Sequence, residues 1–253
     1  MSASFTVTAV DGIPEVQPGA SLPGLVVAAL RERGPRPRDG DVLVVAQKVV
    51  SKAEGSIVDL RTVTPGAEAV RLARLGGKDP RHVEVILRES KRVVRAQGGV
   101  LITEHRLGHI SANAGVDHSN AGIGPHAVTV LPRDPDASAR ALRDAVRDAF
   151  GASVAVVIND SHGRPHREGA VGVCIGAAGM EPLLSLVGRP DRHGYTMRTS
   201  VEAVADELAG AATLVQGQCD EGTPVALIRG VTVPPGDGGA AKLIRDPSKD
   251  LFR

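Results

Sequence analysis

The chain has 253 residues, a formal net charge of +1 and scattered basic residues, so its charge favours neither a nucleic acid nor a membrane surface as partner. Aromatic residues make up only 2% and Trp is absent, which excludes base-stacking platforms and leaves an aliphatic core. The two cysteines form no disulfide framework, and we see neither a signal peptide nor an apolar run long enough for a membrane span. We therefore expect a cytoplasmic protein with free, buried thiols.

In the first half of the chain, apolar patterning predicts three strands and three helices. The strands are 5–10, 41–46 and 100–103, and the helices are 21–34, 66–77 and 79–90. Ser21 and Asp79 have the residue types of helix N-caps. The strand 41–46 contains four consecutive apolar residues, Val-Leu-Val-Val, so we expect it to be buried on both faces. Lys48 and Lys52 follow it and can meet a phosphate group, although the same pattern suits a solvated strand end.

The second half of the chain predicts further strands and two helices. The strands are 126–131, 153–158, 170–175 and 224–230. The clearest helix is 137–150, and the capping-box spacing of Thr199 and Glu202 predicts another that contains Val204 and Leu208. The polar segments 159–169, 189–198 and 214–222 are predicted to be loops. Strands and helices mix without a strict βαβ order and without an internal repeat, so the expected fold class is α+β.

The segment 159–169 carries the densest group of reactive side chains. It follows the buried strand 153–158, and its glycines and proline predict a loop. Asp160 and Ser161 there offer a carboxylate and a hydroxyl to a hard cation. Arg164 and Arg167 add donors for phosphate or carboxylate. A polar surface turn after a core strand is the alternative for this segment taken alone.

A second segment, 110–120, is rich in small residues and places one carboxylate, Asp117, among carbonyl and amide groups. Two separate loops that each carry an aspartate suit Mg²⁺ or Mn²⁺ shared with phosphate better than zinc. The candidate oxygen ligands are Asp117, Asp160, Ser161, Gln218 and Glu221, and the candidate phosphate-side cations are Lys48, Lys52, Arg164 and Arg167. Neither a P-loop nor a dinucleotide-binding glycine motif is present.

Four stretches carry a resemblance to a known family. They are Gly-Ile-Pro-Glu at 12–15, Gln-Lys-Val-Val-Ser-Lys-Ala-Glu-Gly at 47–55, Ser-Ala-Asn-Ala-Gly-Val-Asp-His-Ser-Asn at 111–120 and Asp-Ser-His-Gly-Arg-Pro-His-Arg at 160–167. Together they resemble the coenzyme F420-0:γ-glutamyl ligases, in the same order and from about residue 11 to residue 230. The resemblance implies a ligase that uses GTP and divalent metal to add L-glutamate to F420-0 through an acyl phosphate.

The resemblance also implies roles for particular residues. Asp117 and Asp160 would bind one Mg²⁺ or Mn²⁺, Ser161 and Gln218 would bind a second, and Arg164 would join the two aspartates in catalysis. The nucleotide would be held by Gly12, Ile13, Pro14, Glu15, Gln47, Lys52, Asn120, Gln216, Gly217, Gln218 and Glu221. The family further implies K⁺ as a cofactor and a two-domain subunit in an intertwined homodimer, here one ligase unit over residues 1–253 with an uncertain subdomain boundary.

Three departures from the family pattern affect these expectations. Ser161 stands where many members have Thr, which keeps a hydroxyl ligand. Gln47 stands where some members use Ser, which puts that nucleotide contact in doubt. Some members carry a flavin-binding reductase domain after the ligase. Residues 1–253 contain no such domain, so we expect no reduction of a dehydro precursor here. A metal-dependent phosphoryl hydrolase and a non-catalytic nucleotide-binding protein remain alternative functions for the same side chains.

Overall fold

The computed structural model describes residues 4–122 and 124–251. Its α-helices are α1 (Leu22–Glu32), α2 (Gln47–Ala53), α3 (Ala67–Gly76), α4 (Pro80–Arg88), α5 (Pro135–Phe150) and α6 (Val204–Gln216). Its strands are β1 (Thr6–Ala9), β2 (Val42–Ala46), β3 (Ile57–Asp59), β4 (Ser90–Gln97), β5 (Val100–His105), β6 (Ile110–Ala112), β7 (Ala127–Thr129), β8 (Ala155–Arg164), β9 (Arg167–Ala178), β10 (Leu184–Ser185), β11 (Val201–Glu202) and β12 (Val225–Arg229). The expected mixed α+β class is confirmed.

The largest sheet has five strands in the order β1-β12-β2-β8-β9. Strands β2 and β8 are parallel, and every other neighbouring pair in this sheet is antiparallel. The strand β2 lies in the middle, and Val42, Leu43, Val44 and Val45 are all at most 1% exposed. The prediction that this strand is buried on both faces is therefore confirmed.

Helices cover both faces of this sheet, because the strand side chains alternate between two apolar surfaces. Leu43 and Val45 face a core that includes Leu30 of α1 and Leu142 of α5. Val42 and Val44 belong to a second core, which α6 covers with Leu208, Ala209 and Ala212. The sheet is therefore the middle layer of three.

A third apolar cluster is built entirely from residues between Leu60 and Val130. Its helices α3 and α4 contribute Leu72, Val83 and Ile86, and they pack beside the three-stranded sheet β4-β5-β6. The strands β3 and β7 pair with each other in a separate two-stranded sheet. This continuous part of the chain has its own core, distinct from the two cores of the large sheet.

The structure contradicts five of the predicted element assignments. The segment 159–169 is a β-hairpin, because β8 runs on to Arg164 and β9 starts at Arg167. The residues after β2 form α2 rather than a strand end. Thr199 and Glu202 do not cap a helix, since β11 pairs there with β10 and α6 starts only at Val204. Helix α6 also includes Leu214 and Val215, which were predicted to belong to a loop. The predicted helix 79–90 stops at Arg88 and is followed by β4.

Candidate active site

The site begins where the parallel strands β2 and β8 lie side by side. Ala46, the last residue of β2, is the register partner of Asn159 in β8. Helix α2 therefore starts with Gln47 beside the point where β8 continues into Asp160. Side chains that follow the carboxyl ends of parallel strands meet at one edge of a sheet. This edge carries Lys48 and Asp160 together.

Asp117 reaches this edge through an ion pair with α2. The Lys48 ammonium lies 2.7 Å from Asp117 Oδ2. The backbone N–H of Ser119 donates to Asp117 Oδ1 at 2.8 Å, and the Ser119 hydroxyl donates to Oδ2 at 2.6 Å. Burial raises the pKa of Asp117, but the hydrogen bonds from Lys48 and Ser119 outweigh it and hold that pKa below its ordinary value. The carboxylate is therefore ionised at neutral pH.

Lys52 joins three of the predicted nucleotide-binding segments. Its side chain is only 8% exposed, and its ammonium forms an ion pair with Glu15. It also donates to the Asn120 carbonyl at 3.2 Å, while the Asn120 amide donates to the Cys219 carbonyl at 3.0 Å. A β-carbon at Gly122 would lie 3.1 Å from the Lys52 ammonium nitrogen, so the chain passes very close to it. The turn 12–15, helix α2, the segment 117–120 and the loop after α6 thus converge.

The loop after α6 also contacts β8. The Ser161 hydroxyl donates to Gln218 Oε1 at 2.9 Å, which brings together the two side chains predicted to share one cation. Glu221 Oε2 accepts from the Cys219 N–H at 2.8 Å. Gly217 has φ +72° and ψ −173°, and a β-carbon there would collide with the Glu221 carboxylate. The loop therefore requires glycine at its first position.

Asp160 has a histidine partner on its own strand. His162 Nε2 lies 3.1 Å from Asp160 Oδ2, and these side chains are 12% and 19% exposed. The His109 ring packs edge-on against His162, with ring centroids 6.0 Å apart. Burial, with His162 and His105 nearby, lowers the pKa of His109 to about 4, so this ring is neutral at physiological pH. The sequence did not reveal this arrangement, since His109 lies in the β5–β6 turn and His162 lies in β8, 53 positions further along the chain.

The donor set fits a hard divalent cation. Carboxylate, hydroxyl and amide oxygens are what Mg²⁺ and Mn²⁺ prefer. Side chains alternate along a strand, so Ser161 points to the opposite face of β8 from Asp160, and the two predicted donor pairs are kept apart. Among the described residues, no three His, Cys, Asp or Glu side chains form a metal-binding group. The four side chains predicted to bind metal include only two carboxylates, those of Asp117 and Asp160, and the other two offer the Ser161 hydroxyl and the Gln218 amide oxygen.

Two predicted site residues, Gln47 and Gln216, use their side chains for hydrogen bonds to other protein groups. Gln47 is 3% exposed and accepts a hydrogen bond from the Ser51 hydroxyl. Gln216 ends α6, exchanges hydrogen bonds with the Asn159 amide and donates to the Pro224 carbonyl. Their side chains thus hold the edge of the site together.

The remaining predicted residues lie at two places. Gly12 has φ +86° and starts the turn in which Ile13 packs against the core and Pro14 is exposed. Arg164 lies at the tip of the β8–β9 hairpin, where its guanidinium donates to the Glu168 carbonyl at 3.3 Å. It lies four positions after Asp160 in β8, roughly 13 Å along the strand.

A cavity of about 320 Å³ opens beyond the end of α2. Its lining includes Gly55, Ile57, Asp59, Arg61 and His126, and none of the predicted site residues. Both cysteines are free, as expected; Cys174 is buried, whereas Cys219 is exposed, contrary to the expectation that both thiols are buried. No helix among the described residues is long and apolar enough to cross a membrane.

Five segments bring carboxylates, lysines and neutral oxygen donors together at the end of a parallel strand pair. Such a site is typical of an enzyme that acts on anionic substrates. Comparison with known proteins gives the family. The model of the F420-0:Gamma-glutamyl ligase family matches residues 12–230.

Curated relatives agree with that match along nearly the whole chain. The coenzyme F420:L-glutamate ligase of Methanothermobacter thermautotrophicus is 44% identical over 253 residues, which cover 98% of this chain and 99% of the relative. The protein of the same name from Methanopyrus kandleri is 47% identical over 243 residues, 94% of each chain. That from Methanocaldococcus jannaschii is 44% identical over 215 residues, 85% of each chain. The chain belongs to the F420-0:γ-glutamyl ligase family and is an enzyme, a ligase.

Proposed function

We propose that this enzyme adds L-glutamate to coenzyme F420-0 by forming an amide bond, with GTP as the second substrate. The observation that carries the proposal is the convergence of the four stretches that resemble the family on one edge of the large sheet. The contacts Lys48–Asp117, Lys52–Glu15, Asn120–Cys219 and Ser161–Gln218 join segments that are far apart in sequence. A shared ligand explains why side chains of these types meet there.

The reaction has two balanced steps. The γ-phosphoryl group of GTP passes to a carboxylate oxygen of F420-0, which gives an acyl phosphate and GDP. The amine of glutamate then attacks the acyl carbon, phosphate leaves with the oxygen, and the amine proton goes to solvent. Phosphoryl transfer depends mainly on positioning and charge neutralisation, so the protein needs cations and oxygen ligands more than a covalent nucleophile.

The residues of the site divide between these tasks. The turn 12–15, Lys52, Asn120 and the loop 216–221 hold the nucleotide. Asp117 with Asp160, and Ser161 with Gln218, would hold two divalent cations, Mg²⁺ or Mn²⁺. Such cations, when bound, offset the repulsion between phosphate and carboxylate. Arg164, near the tip of the β8–β9 hairpin, and Arg167 are the guanidinium groups available to the γ-phosphoryl group or to the phosphodiester of F420-0.

The proposal includes K⁺ as a monovalent cofactor and an intertwined homodimer of two-subdomain subunits, which rest on the family resemblance. The separate apolar core between Leu60 and Val130 supports the division into two subdomains. Light scattering of the purified chain tests the dimer directly.

Mass spectrometry of the product tests the reaction. The protein is incubated with F420-0, L-glutamate, GTP and Mn²⁺, and we expect a product heavier by one glutamyl residue or more. Phosphate release that does not need glutamate would support a phosphoryl hydrolase instead, and GDP binding without turnover would support a nucleotide-binding protein. The Asp160→Asn variant should lose on the order of a hundredfold in rate, because it removes a negative ligand at nearly constant size.

Asp148→Asn is the matched control, since Asp148 lies on the exposed side of α5 with its side chain 78% exposed. It should keep the rate of the unmodified enzyme. An Asp160→Asn variant as active as this control would remove Asp160 from the proposed catalytic group.

A further inference from the structure

His162 is held against Asp160 by the geometry of β8. Side chains two residues apart lie on the same face of a strand, so the contact between His162 Nε2 and Asp160 Oδ2 at 3.1 Å is built into the backbone. A carboxylate that ligates a cation can only accept a hydrogen bond, so in this role the imidazole N–H would be the donor. Both side chains are mostly buried, at 12% and 19% exposed, and this protects the hydrogen bond from competing water.

The His162 ring also packs against the ring of His109. The two rings meet edge to face, with an interplanar angle of 78°. His109 immediately precedes β6, which packs against β8, and its carbonyl accepts from the His105 N–H at 2.8 Å. His105 is completely buried, and its Nδ1 accepts from the Leu107 N–H at 3.0 Å. His109 is therefore anchored in the β5–β6 turn, and its neutral ring adds no charge beside the carboxylate.

We propose that His162 is a positioning residue, which acts through Asp160: its imidazole N–H holds one carboxylate oxygen of Asp160 and directs the remaining lone pairs at a divalent cation. This inference rests on the assignment of Asp160 as a metal ligand in the proposed function. Outer partners that orient a ligating carboxylate typically change metal affinity by about 10–100-fold when they are removed. His109 supports His162 by packing and does not touch the ligand itself.

The test compares two substitutions of His162, one that removes the hydrogen-bond donor and one that keeps a donor. His162→Phe keeps a ring against His109 but removes the N–H, whereas His162→Gln keeps a side-chain N–H. Titration calorimetry with Mn²⁺, in the presence of GDP, should show about 10–100-fold weaker binding for His162→Phe and nearly unchanged binding for His162→Gln. His193→Phe, in an exposed loop, is the control and should bind Mn²⁺ normally.

A double substitution shows whether His162 acts through Asp160. In the Asp160→Asn background, His162→Phe should cause no further loss of the Mn²⁺ affinity that remains, because the coupled partner is already gone. Additive losses would overturn the proposal, and so would a His162→Phe variant that binds Mn²⁺ like the unmodified enzyme. If His162→Phe fails to fold in thermal unfolding, His162→Met is the second variant without a donor, and its affinity decides in the same way.

The outcomes also separate this inference from the proposed function. Loss of Mn²⁺ binding in Asp160→Asn, together with normal binding in His162→Phe, would overturn the role of His162 alone. Normal Mn²⁺ binding in Asp160→Asn would remove Asp160 from the metal ligands and overturn both assignments.

Discussion

Gly217 shows how strongly one backbone position determines the loop that is proposed to hold the nucleotide. Its φ of +72° and ψ of −173° are open to glycine and strained for other residues, and a β-carbon would meet the Glu221 carboxylate. We expect Gly217→Ala to displace the loop 217–221 and to lower the affinity for GDP about tenfold. Calorimetry with GDP and Mn²⁺ measures this change.

A glycine inside the preceding helix serves as the control. Gly210 lies inside α6, and a β-carbon there would be 3.8 Å from the Gly172 carbonyl oxygen, an ordinary contact. Gly210→Ala should leave GDP binding unchanged and stabilise the fold by about 0.4–1 kcal/mol. Equal losses of GDP affinity in both variants would show that the geometry of the loop is not the cause.

At the scale of elements, an ion pair joins the start of β2 to the end of β12. Arg229 donates to both carboxylate oxygens of Asp41, at 2.8 and 2.6 Å, and the Asp41 side chain is 3% exposed. Asp41→Ala leaves Arg229 without its partner and also removes the acceptor of the Arg38 N–H. We expect a loss of about 3 kcal/mol in the free energy of unfolding, the lower end for a buried pair because Arg229 is partly exposed. Urea unfolding measures it.

The exposed pair of Glu68 and Arg71 on α3 provides the comparison. Both side chains are more than half exposed, at 56% and 61%, so solvent screens their attraction. Glu68→Ala should cause little or no measurable change in the same urea experiment. If Asp41→Ala cost no more than Glu68→Ala, the junction of β2 and β12 would not depend on this pair.

Elements with local causes could be predicted from the sequence. Helix α5 has Asp134 as N-cap, Pro135 in its first turn and Gly151 in the left-handed conformation at its end, and its apolar residues recur on one face. The hairpin of β8 and β9 could not be predicted, because Gly163, Pro165 and Gly169 have turn propensity. Pairing of β8 with β9 along the chain overrides that propensity.

Two other elements were assigned wrongly, and the causes differ. The capping-box spacing of Thr199 and Glu202 is a local pattern, and the pairing of β11 with β10 overrides it. Helix α2 starts after Ala46 without a side-chain cap, so the sequence carried no start signal for it. The residue types of the site were predictable from the loops, whereas contacts such as Lys48–Asp117 depend on long-range packing and were not.

At the scale of the whole molecule, the site lies between two separately packed parts of the chain. Asp117 and Asn120 follow strands of the part that has its own core between Leu60 and Val130. Lys48, Lys52 and Cys219 belong to the part built on the large sheet. The contacts that join them therefore also join the two parts, and a change in either core that shifts one part against the other should disturb ligand binding.

The packing of the smaller part also determines how the protein responds to acid. His82 in α4 is buried, and burial, with His118 and Lys78 nearby, lowers its pKa to about 4 from an ordinary value of 6.5. In the unfolded chain this histidine takes up a proton near its ordinary pKa, so between pH 6.5 and 4 the unfolded state binds more protons than the folded state. The free energy of unfolding must therefore decrease as the pH is lowered from 6.5 to 4. This group contributes up to about 1.4 kcal/mol per pH unit to that decrease.

Replacement of His82 by glutamine removes the proton that the unfolded chain takes up. We expect His82→Gln to lose stability less steeply than the unmodified protein as the pH falls below about 6.5, and the two slopes to become parallel again below about 4 and above about 7. Urea unfolding in steps from pH 7.5 to pH 4 measures both slopes. His193→Gln is the control, because this exposed histidine lies in a loop and should leave the slope unchanged. A slope for His82→Gln equal to that of the control would mean that His82 is protonated in the folded protein as readily as in the unfolded chain.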